Sequence, residues 1–537
     1  MKSFTIKKLY TLHSWVGIVT GILLFVIAFT GAVSVFGRPE IKVWANPEVR
    51  QAAEIKPQSL EQLIVQHVSD IPESFREEIN IFLPRARTFT NLTVVFEDHD
   101  NGQAIVKTFH NQSLQLLSTR TGSVRELFET RETDIADFIV DFHADLHLGS
   151  PLGLLLTGLL GLTLTVSIIT GFFIHRKKLR NLFTFRWKKS FDVSLADFHK
   201  VLGVWGLLFN GVIAFTGAFL GLATVILIPA AAFVTFNGDQ EKLVEMFVTT
   251  PEPIMANEFA STKVAKPLAH AQSYDEDMRL ELISIYGFED KNAKVYISGV
   301  GSDKVSAQTL SYEGSSGNFT EAFGRFGKLE GVSPVILDLM FPLHFGNFGG
   351  PLVKLIWTLL GLTTALLPIS GMMLWLHRGE KSSTSNFSAS TYSNVKRLVI
   401  GACGGVVFAT AVLFPAQLVA WSTTPQLSSS VLFGIIFFGS WLLSIVLAFC
   451  IKNTGLSSKL MAYSTAVTLL CVPFLNVLTT GDDIFSLFLL KQWETAITDL
   501  TLFTLGVLII FTTKRVSNKS SLEPVGNDNS DKGIGNA

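Results

Sequence analysis

The sequence predicts a mainly α integral membrane protein: eight transmembrane helices with two outward-facing α+β insertions. Three observations predict it. Eight apolar runs of about 20 residues lie along the 537-residue chain, each about long enough to cross a hydrocarbon core. Mean hydropathy is +0.40, with only 16% charged residues. The chain also repeats itself. Leu12 to Ala32 reads LHSWVGIVTGILLFVIAFTGA, and Phe198 to Ala218 reads FHKVLGVWGLLFNGVIAFTGA.

The first span, 11–36, follows Lys2, Lys7 and Lys8. The run is long, no A-x-A site follows it, and its copy lies deep in the chain. It therefore reads as an uncleaved span rather than a signal peptide. The insertion 37–142 comes next. LEQLIVQHVSDI from Leu60 is helical in pattern, EINIFLP and LTVVFED alternate as strands, and Asp100-Asn101-Gly102 marks a hairpin turn. The second span, 151–175, opens with Ser150 as cap and Pro151 at the first helical position. The third, 197–228, opens the second copy. It leads to the insertion 236–342, with strand patterns RLELISIYGF and KVYISG. Each insertion reads as a small α+β domain with an antiparallel sheet. The fourth span, 348–376, closes the duplication. Four more, 397–421, 430–451, 459–479 and 495–513, form a C-terminal bundle, and the polar tail 517–537 is expected to be disordered.

Basic residues orient the spans. Arg176, Lys177, Lys178 and Arg180 follow the second span, Arg378 and Lys381 the fourth, and Lys514 and Arg515 the eighth. The positive-inside rule places those loops and both termini in the cytoplasm of a plasma membrane, and the insertions outside. A net charge of −1 carries no nucleic-acid signal. Cys403, Cys450 and Cys471 lie in apolar runs without CxxC or CxxCH spacing, which argues against a disulfide framework, a zinc ribbon or covalent haem.

The chemistry lies in the histidines. All eleven precede residue 378, and the last four spans have none. An ionisable ring in a membrane segment is costly and is normally retained for function. His13, His175, His199 and His377 fall on the cytoplasmic side, one from each of the first four spans. His143, His147 and His344 fall on the outer side. His147 and His175 stand 28 residues apart, about 42 Å if helical, and so belong to opposite faces. These sets point to axial ligation of non-covalent haem b, one or two per chain, with Arg176 and Arg378 pairing propionates. On the outer side the expected ligand pair is His147 with His344. His143 is a neighbouring or substrate-side metal ligand, four residues from His147. The span glycines and the AFTGA threonines read as helix packing. Trp15, Trp205, Trp357 and Trp375 read as an interfacial belt.

The LHSWVG…FTG span, the outward insertion, DLHLG…GLLGL…TG and the closing HRKK together resemble the PepSY-associated transmembrane family of iron-regulated membrane proteins. The resemblance covers roughly residues 1–380. It implies PepSY-like insertions and, by motif, ligand roles for His13, His147, His175, His199, His344 and His377. It also implies electron transfer across the inner membrane to a ferric siderophore or similar chelate. The chain departs from the family in its four extra spans, and it carries no flavin or dinucleotide motif. A separate donor, a cytoplasmic reductase or quinol, is therefore expected, with lipid as the other partner. The alternative is a non-enzymatic membrane protein for iron or haem transport, or for PepSY-mediated protease regulation.

Overall fold

The computed structural model describes residues 3–522, apart from 51–54, 85–88, 130–132, 175–183, 187–188, 246–249, 276–277, 301–306, 325–331, 382–386 and 424–426. Eight helices are long and apolar enough to cross a membrane: Phe4–Ser34, Leu152–Ile174, Leu207–Phe236, Gly350–Lys381, Ala389–Thr423, Ser429–Cys450, Thr454–Thr480 and Trp493–Val516. The protein is a multi-pass membrane protein. The last helix continues to Leu522. The expected disordered tail is thus helical over 517–522, and 523–537 lie outside the described residues.

The third span differs from its expected limits. The chain there forms a short helix, Phe191–Trp205, and the membrane helix begins only at Leu207. The break falls at Gly206, and Asp197 lies on the short helix before it. Its carboxylate accepts from Arg186 Nε at 2.8 Å and from Lys200 Nζ at 3.0 Å. The Arg186 guanidinium holds that carboxyl well below the usual carboxylate range. A charge cluster of this kind belongs at the membrane edge, so His199 sits on a helix that precedes the span. Small residues bring the spans together. A methyl on Gly161 would stand 2.7 Å from the Ala218 backbone nitrogen, so spans two and three touch backbone to backbone there.

The two insertions do not form two sheets. Their strands make one antiparallel eight-stranded sheet in the order β4-β3-β2-β1-β5-β6-β7-β8. The first insertion gives β1 (Glu78–Phe82), β2 (Leu92–Asp98), β3 (Gln103–Phe109) and β4 (Leu116–Ser123). The second gives β5 (Arg279–Tyr286), β6 (Lys294–Val300), β7 (Gln308–Glu313) and β8 (Phe319–Gly324). The seam is β1 against β5, with Asn80 opposite Ser284, and it buries what would otherwise be two exposed edges. One apolar core serves both halves, with Ile79, Ile81 and Phe96 packed together with Ile283, Ile285 and Tyr312. Helices Pro57–Val68 and Ala265–Tyr274 complete it. Glu61 of the first accepts 2.7 Å hydrogen bonds from the Val264 and Ala265 amides at the start of the second.

The C-terminal bundle braces the sheet side of the repeat. Phe138 and Phe142 of the short helix Ile135–Asp145 pack edge-on against Phe437, at 5.4 and 4.8 Å between ring centres. Gln417 accepts from the Ile135 amide at 3.1 Å. Deeper, Trp44 and Asn476 each donate to the buried Asp499 carboxylate at 2.7 Å.

Candidate functional site

Four histidines meet as two facing pairs. His13 of the first span faces His199, with ring centres 6.2 Å apart and planes at 74°. On the sheet side His143, on Ile135–Asp145, faces His344, on Val332–Phe345. Their centres lie 6.0 Å apart and their planes at 25°. A metal–imidazole bond is about 2.0 Å and the ring centre lies about 1.1 Å further on, so trans imidazoles on one metal stand roughly 6 Å centre to centre. Both pairs have that spacing.

Hydrogen bonding fixes the tautomers. His13 Nδ1 donates to Ser167 O at 3.0 Å, and His143 Nδ1 to Ile27 O at 2.9 Å. A carbonyl only accepts, so each of these nitrogens carries the proton. His344 Nδ1 meets Thr216 Oγ1 at 3.0 Å, and His199 Nδ1 meets Ser370 Oγ at 2.9 Å. Both hydroxyls already donate within their own helices, Thr216 to Val212 O at 2.7 Å and Ser370 to Leu367 O at 2.9 Å. They therefore accept from the imidazoles. All four rings carry the Nδ1 proton, so any metal would be taken by Nε2. An Nδ1–H held by a helix acceptor is the usual support of a metal-bound histidine.

Each ring also lies over a glycine. A methyl on Gly171, Gly217 or Gly371 would come 3.3, 3.1 or 3.3 Å from Cε1 of His13, His344 or His199, and one on Gly31 only 2.6 Å from that of His143. The sequence gives the reason as a recurring dipeptide: Thr30-Gly31, Thr170-Gly171, Thr216-Gly217 and Ser370-Gly371. The helix-bonded hydroxyl and the missing side chain form a notch. In each repeat the first span holds the sheet-side histidine and the second span holds the opposite one. Gly31→Val is expected to displace the His143 ring while leaving His13 in place. The check is a histidine NMR resonance or a metal-ligand spectrum that changes for one pair only.

The pairs occupy opposite ends of the spans, since Gly31 lies 18 residues along the helix from His13, about 27 Å. A cavity of about 890 Å³ surrounds the sheet-side pair, lined also by Trp357, Arg38, Lys354 and, from β5, Arg279. That is within the range of small-molecule and cofactor sites. Lys354 binds Glu40 at 2.7 Å, and Trp357 Nε1 donates to Leu343 O, beside His344, at 2.9 Å.

The expected residues divide as follows. His13, His199 and His344 are in the facing pairs. His147 is not, and His143 takes the place expected for it. Helix Ile135–Asp145 ends in a left-handed cap at Leu146, which turns His147 onto Phe138, 4.2 Å away between ring centres. Helix Val332–Phe345 still includes His344. The duplicated LH motifs thus align in sequence but not in space, offset by about one helical turn. His377 lies 3.2 Å from Asp192, and among the described residues no histidine ring is paired with it. Arg378 donates to Tyr10 OH at 3.1 Å, three residues before His13. His175 and Arg176 lie outside the described residues. Sequence reading missed the notches: the AFTGA threonines were assigned to packing, although the dipeptide's fourfold recurrence was visible.

A family model described as PepSY-associated TM region matches residues 10–378. The chain belongs to the PepSY-associated transmembrane family. An uncharacterised Pseudomonas aeruginosa protein, PA4219, is 24% identical over 310 residues, which is 53% of this chain and 74% of that one. All four notched histidines of this PepSY-associated protein fall inside the matched region, whereas the bracing bundle lies beyond it.

Proposed function

We propose that this protein is a haem-b oxidoreductase of the bacterial inner membrane. It passes electrons from the cytoplasmic side to a ferric siderophore or similar chelate on the sheet side. One observation carries the reading: two imidazole pairs at trans-ligand spacing, one at each end of the same spans, each ring fixed in the Nδ1–H tautomer. In this reading His13 and His199 hold one haem, and His143 and His344 the other. The cations of the cavity, Arg38, Arg279 and Lys354, each also paired with a carboxylate (Asp137, Glu281 and Glu40), would face propionates on the sheet side, and Arg378 would do so near His13. Haem, when bound, supplies a one-electron carrier at each level.

The protein's own contribution is position and insulation. The notched glycines let the helices close on flat cofactors, and the hydroxyl and carbonyl acceptors keep the imidazoles basic. Two histidines holding each haem would leave no open site for oxygen, which suits electron transfer over oxygen activation. The basic-loop side and both termini face the cytoplasm in this reading. The donor is a separate reductase or quinol.

The test is the visible spectrum of protein purified from haem-replete cells, with pyridine-haemochrome quantitation. Two haems b per chain are expected, with a sharpened Soret and α band on dithionite reduction. Colourless, folded protein from such cells would overturn the redox reading and leave a non-enzymatic role in iron transport or protease regulation.

A further inference from the structure

We propose that Glu78, Glu97 and His99, on the sheet face opposite the two helices, bind a divalent first-row transition cation. This does not rest on the haem reading. The three side chains come from two adjacent strands and the turn that follows. Glu78 of β1 stands directly opposite Glu97 of β2, and His99 follows two residues later in the turn, against Glu78. One ligand atom from each lies within 4.8 Å of the other two. Bonds of about 2.0–2.2 Å to a common cation need ligand atoms roughly 3–4 Å apart, so small side-chain movements close the site.

Two features separate this group from an ordinary charged surface. Like charges directly opposite on a ladder are destabilising; the His99–Glu78 ion pair offsets part of the cost of the Glu78–Glu97 pairing, and a cation would offset the rest. The carboxylates are also aimed. The buried Asn80 donates from Nδ2 to Glu78 Oε1 at 2.7 Å and to Glu97 Oε1 at 3.0 Å. Ser284 donates to Asn80 Oδ1 at 2.6 Å, which fixes the sense of the amide. Tyr286 OH adds a 3.1 Å hydrogen bond to Glu78 Oε1. One oxygen of each carboxylate is thereby tied down. The other oxygen of Glu78, Oε2, lies 2.5 Å from His99 Nε2. Such outer partners hold metal ligands in place.

The donor set selects the class of ion. Two carboxylates with one imidazole favour Mn²⁺, Fe²⁺, Co²⁺ or Zn²⁺ over Ca²⁺ and Mg²⁺, which prefer all-oxygen sites. Glu252 acts electrostatically on the His99 ring and adds negative charge nearby. The site is separate from the cavity. Glu281, which lines the cavity, is five residues back along β5 from Tyr286, about 17 Å.

The test uses full-length protein in detergent, stripped with chelator and titrated with Co²⁺ and with Mn²⁺. One saturable ion per chain is expected, with affinity falling at least ten-fold in both Glu97→Gln and His99→Gln, and with His110→Gln unchanged. Pulsed EPR of bound Mn²⁺ in the unsubstituted protein is expected to show a single imidazole nitrogen, and this readout holds even if a variant fails to fold. No saturable binding, affinity indifferent to both substitutions, or Mn²⁺ without nitrogen coupling would each overturn the proposal.

Discussion

Alanine at His344 is expected to remove one haem of the proposed two and leave the other spectroscopically intact. Alanine at His143 should do the same, and His147→Ala should leave both. The reasoning is geometric. His344 meets His143 at 6.0 Å, and losing either ring would leave a haem there with a single histidine, in a cavity that offers no second imidazole at that spacing among the described residues. His147 lies against Phe138 and Phe142 and serves the contact with the bundle. His13→Ala and His199→Ala should remove the complementary haem. EPR provides an independent check, because the ring planes are nearly parallel in one pair, at 25°, and steeply crossed in the other, at 74°. Two distinct low-spin ferric signals are expected, and each pair of substitutions should delete one of them. If His147→Ala bleaches a haem while His143→Ala does not, the sheet-side pairing is wrong. If neither haem signal depends on these rings, the ligation reading fails altogether.

Much of this architecture was legible in the chain, and the gaps have physical causes. The spans announce themselves because lipid demands long apolar runs, and the AFTGA and LH repeats reveal the duplication. Strands such as EINIF and KVYIS follow from alternation. The union of two sheets at β1 and β5 did not show, because edge pairing between segments about 200 residues apart leaves no local pattern. The choice between His143 and His147 turned on where one helix stops. Leu146 in a left-handed conformation ends it one turn early, and a leucine at that position gives no sequence signal for such a cap. The notches could have been found. Thr-Gly or Ser-Gly recurs at matching places in all four spans, and a hydroxyl bonded to its own helix still has a lone pair to offer an imidazole.

Replacing Asp137 by alanine is expected to destabilise the protein by about 3–5 kcal/mol, as breaking a buried ion pair does. Its carboxylate is 1% exposed and sits between two cations: the Arg38 guanidinium bonds one oxygen, and Lys42 Nζ lies 2.8 Å from the other. Burial alone would push this carboxyl up, but Lys42 and Arg38 outweigh it and hold it below the usual range. Lys42 is itself only 4% exposed, so removing Asp137 strands a buried ammonium with Asp134, at 3.2 Å, as its remaining carboxylate. The damage should also be directional. Asp137 lies in the first turn of Ile135–Asp145, where Asp134 caps the helix by accepting from its amide at 3.0 Å, and His143 sits six residues further on. Arg38 lines the cavity around His143 and His344, so its release disturbs the same site from a second direction. Of the two proposed haems, the sheet-side one should therefore be lost at a lower temperature than the His13–His199 one, which lies at the opposite end of the first span. Thermal melts followed at the Soret band and by far-ultraviolet circular dichroism would show this as two separated transitions. Asp137→Asn, which keeps the shape and one acceptor oxygen, should fall between the two. Simultaneous loss of both haems with global unfolding would mean that the cluster holds the whole membrane domain together rather than positioning one histidine. An unchanged melt would mean that Lys42 and Arg38 find adequate partners in Asp134 and solvent.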